Sequence, residues 1–212
     1  MTGSEFIETV RDRNKTALSR LGSSKALYAD TEGELEPEAV LRAVATAEHA
    51  AMETFASWGD EESGTAAETF AESASEEQDH YETVAGLLDS PDDDHAPEET
   101  VPAIQSYLRD REETVERIGA FVGRTIAAEK SKEQVTAFFV GQADPQTAGT
   151  FRELKSDLEE QLDRASTLVE AYCETDEERE QAREAASGAI QTAYEEYTDQ
   201  LESMGVNPKP VC

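Results

Sequence analysis

The sequence predicts an all-α fold, a helical bundle, and three observations carry that expectation. Long stretches are rich in Ala, Glu, Leu and Gln, which are strong helix formers. Gly and Pro number only 12 and 7 in 212 residues, so few positions interrupt a helix. Apolar residues recur in steps of three and four, the spacing of one helical face.

Six helical stretches follow in order. The first spans about 4–21 and closes at Gly22. The second begins at Pro37, a residue suited to a first helical turn, and runs to Trp58, with Gly59 as its stop. The third covers about 65–88. "DSPDDDHAPEETVP" (89–102) then reads as a surface loop, with three prolines and an acidic run. Helical sequence resumes at 103 and continues to about 140, with candidate breaks at Gly119 or Gly123. The fifth helix spans about 147–173 and the sixth about 176–204, stopped by Gly205. Residues 1–206 are expected to form one domain and 207–212 a C-terminal tail.

The formal net charge is −30, from 48 acidic and 18 basic residues, and the acids are spread along the chain. Such a charge repels itself at low ionic strength and is screened in molar salt, where the Debye length is about 3 Å. High-salt adaptation is the expectation. No Lys/Arg patch stands out, so direct nucleic-acid binding is not expected. The two cysteines, Cys173 and Cys212, form no CxxC pair and hence no rubredoxin-type or zinc-ribbon site. Cys173 is expected to be half-buried on a helix and Cys212 to be an exposed thiol. No apolar run approaches a membrane span, and no charged-then-apolar leader opens the sequence, so a cytoplasmic location is expected.

The second half echoes the first at an offset of 81. "AEHAAMETFASWGD" (47–60) aligns with "AEKSKEQVTAFFVG" (128–141), which puts Glu48 on Glu129 and Trp58 on Phe139. Phe70 meets Phe151 and Glu72 meets Glu153 at the same offset. This suggests two repeated helical hairpins.

The candidate site emerges from charges on apolar faces. Leu41, Val44, Glu48, Ala51, Phe55 and Trp58 form one inward stripe with Glu48 in its middle. On the next helix Phe70, Glu77, Tyr81, Val84 and Leu88 trace the inner face, with His80 one turn from Glu77. The repeat partner of Glu77 is Leu158, in a stripe of Phe151, Leu154, Leu158, Leu162, Ala165 and Leu168, so position 77 is a core position. A buried carboxylate needs a cation, a hydrogen bond or a proton. A metal ion held by Glu48, Glu77, His80 and Glu129 would answer that need, since carboxylates and imidazole suit iron or manganese. Lys132, one turn from Glu129, offers a metal-free counter-charge, and Tyr81 a hydrogen bond; together they would make a buried ion network. His49 and His95 read as surface residues. Phe138, Phe139 and Val140 read as core or a dimer face, and Tyr194, Tyr197 and Leu201 as the docking face of the last helix.

Glu48, then Glu77-x-x-His80, then Glu129 on a later helix resembles the ferritin-like superfamily in its rubrerythrin branch, over residues 36–173. "AEHAAMETFASWG" is similar to that family's first iron-binding helix. The resemblance implies a four-helix bundle of two repeated hairpins, here with extra N- and C-terminal helices, and metal-dependent oxidase or peroxidase chemistry. The chain also resembles halophilic-archaeal proteins that end in "GVNPKPVC" and carry labels such as rubrerythrin-like or transcription anti-termination protein. It departs from the family where a second Glu-x-x-His belongs: Leu158 and Gln161 stand there. Asp157 and Glu160 would replace them only if the helix rotated its leucines out of the core. The ligand set therefore suffices for one iron or manganese ion at most, or for none. The implied functions are a bundle with a degenerate metal site, a non-catalytic regulatory or binding module, or an iron-dependent peroxidase or oxidase; no catalytic residue is indicated. A homodimer is the expected assembly, with any protein partner open.

Overall fold

The computed structural model describes residues 2–88 and 101–208. His95 and Cys212, and most of the expected acidic loop, lie outside the described residues. Among those described, the chain is all-helical and has no strand: α1 (Gly3–Arg13), α2 (Lys15–Leu21), α3 (Ser24–Asp30), α4 (Pro37–Glu61), α5 (Gly64–Ala85), α6 (Ala103–Arg109), α7 (Thr114–Gly141), α8 (Pro145–Tyr172) and α9 (Asp176–Ser203). No helix among them is long and apolar enough to cross a membrane.

Two long hairpins, α4–α5 and α7–α8, form the centre, and α9 packs along α7. Their boundaries keep the offset of the sequence echo: Pro145 opens α8 and Gly64 opens α5, 81 residues apart. Both turns contain a residue of positive φ, Gly64 (+60°) and Ala143 (+59°). In the second turn Asp144 caps α8, accepting from the backbone N–H groups of Gln146 and Thr147 at 3.1 Å each. Such a cap satisfies donors that the first helical turn cannot pair internally.

Four helix boundaries differ from the sequence expectation. α4 runs through Gly59, the expected stop, and ends at Glu61. The stretch 4–21 divides at Asn14, whose side chain donates to the Val10 carbonyl (2.9 Å) and to Ser187 Oγ (3.0 Å). A side-chain amide that bonds its own backbone competes with helix continuation, and here it also ties the N-terminal segment to α9. Residues 24–30 form α3, where no helix was expected. The stretch 103–140 breaks at 110–113, between α6 and α7, and runs unbroken through Gly119 and Gly123.

Those two glycines serve packing. A Cβ on Gly119 would lie 2.0 Å from the Ala182 carbonyl oxygen, and one on Gly123 would lie 2.2 Å from that of Ala186. Backbone thus meets backbone between α7 and α9. The remaining core has two apolar clusters. One gathers Phe55, Trp58, Phe70 and Phe121 with the alanines of α9. Its aromatic rings meet edge-to-face, as at Phe55–Phe121 (5.1 Å) and Trp58–Phe70 (5.1 Å). The other joins Leu41, Val44, Val84, Val135, Phe139, Phe151 and Leu154. As expected, Tyr197 and Leu201 dock α9, here against Ala26 and Ala29 of α3. The first tail residues are held as well: Lys25 Nζ donates to the Asn207 carbonyl at 2.8 Å.

A glycine-to-alanine change inside a helix ordinarily stabilises by about 0.5–1 kcal/mol. Gly123→Ala should invert that sign and destabilise by about 1–3 kcal/mol, the cost of overpacking a close contact. Gly149→Ala in α8, where nothing lies within 4 Å of an added Cβ, should stabilise. Urea unfolding midpoints of the two variants against the parent check both signs.

Candidate functional site: a buried polar layer and the cleft above it

Between the two apolar clusters lies a polar layer. Glu48 on α4, Glu77 and His80 on α5, Arg124 and Lys132 on α7 and Gln161 on α8 are all buried, none more than 4 % exposed. The inward stripes place them there. Glu48 sits between Val44 and Ala51 on its stripe, and Glu77 between Ala74 and Val84 on the face of α5.

The geometry centres on Arg124. Its guanidinium grips Glu77 with two hydrogen bonds, Nη1 to Oε1 at 2.6 Å and Nη2 to Oε2 at 2.8 Å. Nη2 also reaches Glu48 Oε2 at 3.5 Å. Lys132 Nζ donates to Glu48 Oε1. Gln161 Nε2 donates to Glu77 Oε1 at 2.8 Å. The Arg124 guanidinium lies 5.4 Å from the Phe55 ring centroid, which joins the layer to the aromatic cluster. His80 Nε2 lies 3.0 Å from Asp157 Oδ2. A carboxylate only accepts, so Nε2 carries the proton, and Nδ1 finds no hydrogen-bond partner among the described residues, 3.9 Å from Glu77 Oε2.

The two carboxylates differ. Burial disfavours ionisation of Glu77, but the charge and hydrogen bonds of Arg124 outweigh it and hold the carboxyl far below the usual range. Burial dominates at Glu48; the attraction of Lys132 opposes it, the charge of Glu77 adds to it, and the result is a raised pKa.

The structure brings together Glu48, Glu77, His80 and Lys132 as the sequence suggests, and separates Glu129. That residue is buried on another side of α7, where its carboxylate accepts from Arg11 of α1 at 2.6 Å. The expectation that Glu129 joins Glu48 is corrected: α1 packs against α8 and α7 and supplies the counter-charge there. Tyr81 packs edge-to-face on His49 at 5.2 Å and against the second apolar cluster. Asp157 reaches His80 while Leu154, Leu158 and Leu162 stay buried, so no rotation of α8 is needed. Phe139 is core, stacked on Phe151, and Val140 is exposed. Cys173 is more buried than expected, at the end of α8, and burial pushes its thiol up to about 11. Arg124 and Gln161 are the members that sequence reasoning did not assign to the site. The signal for Arg124 was present, because Phe121, Arg124, Ala128, Lys132, Val135 and Phe139 step by three and four.

Glu48, Glu77 and His80 each bring one ligand atom within 4.8 Å of the others, close enough to share a metal ion. The charges argue otherwise. Arg124 and Lys132 already balance the two carboxylates, and Arg124 occupies both oxygens of Glu77. A divalent ion added to this layer would be an uncompensated buried charge. Position allows a metal ion here, and the two basic side chains compete with it for the same carboxylates.

A cleft of about 600 Å³ opens above the layer between α3, α4, α6, α7 and α9, with Glu48, Arg124 and Lys132 among its lining. Asp30 and Glu196 also line it. Asp30 is exposed to solvent by surface area, which tempers the desolvation that raises its carboxyl, to about 7, with the charge of Glu196 adding to the rise. Burial also raises Glu196, against the hydrogen bond it accepts from the Ala103 N–H.

No family model, curated protein or solved structure matches the chain in comparisons with known proteins.

Two outcomes follow from this electrostatic arrangement. Arg124→Ala leaves Glu77 buried and unpaired and should cost about 3–5 kcal/mol, while the double change Glu77→Leu with Arg124→Leu should recover most of that loss; urea unfolding of both variants checks it. Asp30 has a folded-state pKa above its unfolded value, so the folded state binds its proton more tightly and loses relative stability as pH rises through the interval between them, up to about 7. Asp30→Asn should therefore raise the melting temperature more at pH 8.5 than at pH 5, measured against the parent at each pH.

Proposed function

We propose that this chain is a ferritin-like helical bundle without redox chemistry of its own, a binding module in which a salt-bridged layer stands where related bundles carry metal. The bidentate Arg124–Glu77 pair, with Lys132 on Glu48, carries this reading. Arg124 and Lys132 stand as partners to the two carboxylates in the place of ions. Leu158 and Gln161 stand where a second Glu-x-x-His would supply further ligands, and Gln161 instead steadies Glu77. Dioxygen or peroxide chemistry at such centres needs open metal positions, and these side chains leave none. The cleft above the layer is the surface offered for binding. A regulatory role of the kind named by the anti-termination label would work through occupancy of that cleft or through protein contacts.

A second reading, one bound metal ion, draws on the closeness of Glu48, Glu77 and His80 and on the unpartnered His80 Nδ1. Elemental mass spectrometry separates the two, on protein purified without chelators or a His-tag. The parent should carry well under one-tenth of an equivalent of iron or manganese. Arg124→Leu with Lys132→Met, which strips the counter-charges, should take up metal when supplied with Fe(II) or Mn(II). About one equivalent in the parent, lost in His80→Ala, would establish the second reading instead.

A further inference from the structure

One wall of the cleft is built unlike the long helices beside it. α4, α7 and α9 run for 25, 28 and 28 residues and carry much of the core, whereas α3 has seven residues. Ala26, Leu27 and Thr31, on α3 and at its end, line the cleft together with Glu48 and Lys132 of the polar layer. Of α3, only Leu27 joins either of the two large apolar clusters. Ala26 and Ala29 belong instead to a small separate cluster with Tyr197 and Leu201, against which Met204 and Val206 also pack. A small satellite cluster of this kind can open as a unit while the rest of a protein stays folded.

The backbone on either side of α3 supplies pivots. Before it, Gln134 Nε2 donates to the Gly22 carbonyl at 2.7 Å and fixes the end of α2 to α7. After it, Glu32 (φ 51°) and Gly33 (φ +91°) both lie in the left-handed region. A non-glycine residue holds that conformation only while its surroundings impose it. The tail then ties α3 to α9. Lys25 Nζ donates to the Asn207 carbonyl at 2.8 Å, and the Tyr197 hydroxyl donates to the Pro208 carbonyl at 3.4 Å.

We infer that α3 is a lid on the cleft and that the tail is its latch. Opening swings α3 from α9 about Gly22 and the Glu32–Gly33 turn, and it uncovers the end of the layer that holds Glu48 and Lys132. Closing buries Lys132 to the 3 % exposure seen here. This rests on the reading of the chain as a binding module and names the element that regulates entry to its cleft.

The test joins hydrogen–deuterium exchange to lysine acetylation with an N-hydroxysuccinimide ester, both mapped by peptide mass spectrometry. The parent is compared with a chain ended at Val206, which removes the acceptors of both latch bonds and leaves α3 intact. Circular dichroism confirms that the shortened chain is folded; should it not be, Tyr197→Phe, which deletes one latch bond and little packing, takes its place. In the parent, amides of α3 should exchange faster than those of α7. Unlatching should speed α3 exchange and Lys132 acetylation by the same factor, about tenfold. The α7 amides and the half-buried Lys130 should keep their parent rates. Exchange in α3 as slow as in α7 overturns the proposal. So do parent rates in the unlatched chain. Faster exchange in α3 with Lys132 acetylation unchanged would mean a fraying helix that gates nothing, and also overturns it. Metal content of the same samples keeps the two readings apart. A metal-free protein with a fixed α3 fails this proposal alone, whereas a stoichiometric metal fails the binding-module reading.

Discussion

The bidentate pair between Arg124 and Glu77 is the interaction on which the interior depends. A carboxylate at the centre of a helical bundle is tolerated only when its charge and lone pairs are met. Here the guanidinium meets both oxygens, Gln161 adds a third hydrogen bond, and Lys132 does the same office for Glu48. The layer draws on α4, α5, α7 and α8 at once. It separates two apolar clusters that would otherwise merge into one continuous greasy seam. Apolar seams alone tolerate sliding; a layer with fixed partners does not. Displacing α7 by one helical turn, about 5.4 Å, would break both ion pairs together. The pairs therefore specify alignment, a role documented for buried polar residues in coiled coils.

The pairing of acids with bases within the layer contrasts with the chain around it. The protein as a whole carries a charge of −30, and many of its basic residues are committed to particular acids. Arg117 holds Glu61 and Glu62, Arg11 holds Glu129, Arg13 holds Glu180, and Arg164 holds Glu76. Arginine predominates in the buried pairs, where a planar fork matches a carboxylate better than a point charge does. Few cations remain for the surface.

Much of this was legible in the sequence. The apolar stripes located α4, α5, α8 and α9 to within a few residues, because each stripe is the buried face itself, whereas the expected helix from 103 ran across the break that precedes α7 at Thr114. Glu48 and Glu77 were legible for the same reason: a charge on an apolar stripe has nowhere else to go. Glu129 misled because burial is not direction. Its helix is covered on several sides, and a buried face of α7 can look toward α1 as well as toward α4. Arg124 lay on an apolar stripe like the glutamates, but a search for ligands passes over a cation. The short α3 escaped because seven residues are too few for a helical period to declare itself. Gly119 and Gly123 suggested breaks because glycine's low helix propensity is a local property, whereas the close approach of α9 is a tertiary one. The cleft could not be read at all, since its lining comes from six helices spread over most of the chain.

The glycines of α7 have a reach beyond their own contact. By letting the backbone of α9 settle at Ala182 and Ala186 against α7, they fix how near the two helix axes stand. Glu196 and Gln200 lie ten and more residues further along α9, about 15 Å or more from that contact at the rise of an α-helix. Both line the cleft, as do Lys132 and Arg124 of α7. The gauge of the cavity is thus set remotely, by two methyl groups that the sequence withholds. A side chain of any size at those positions would act as a wedge under a lever, shifting the stretch of α9 that carries Glu196 and Gln200.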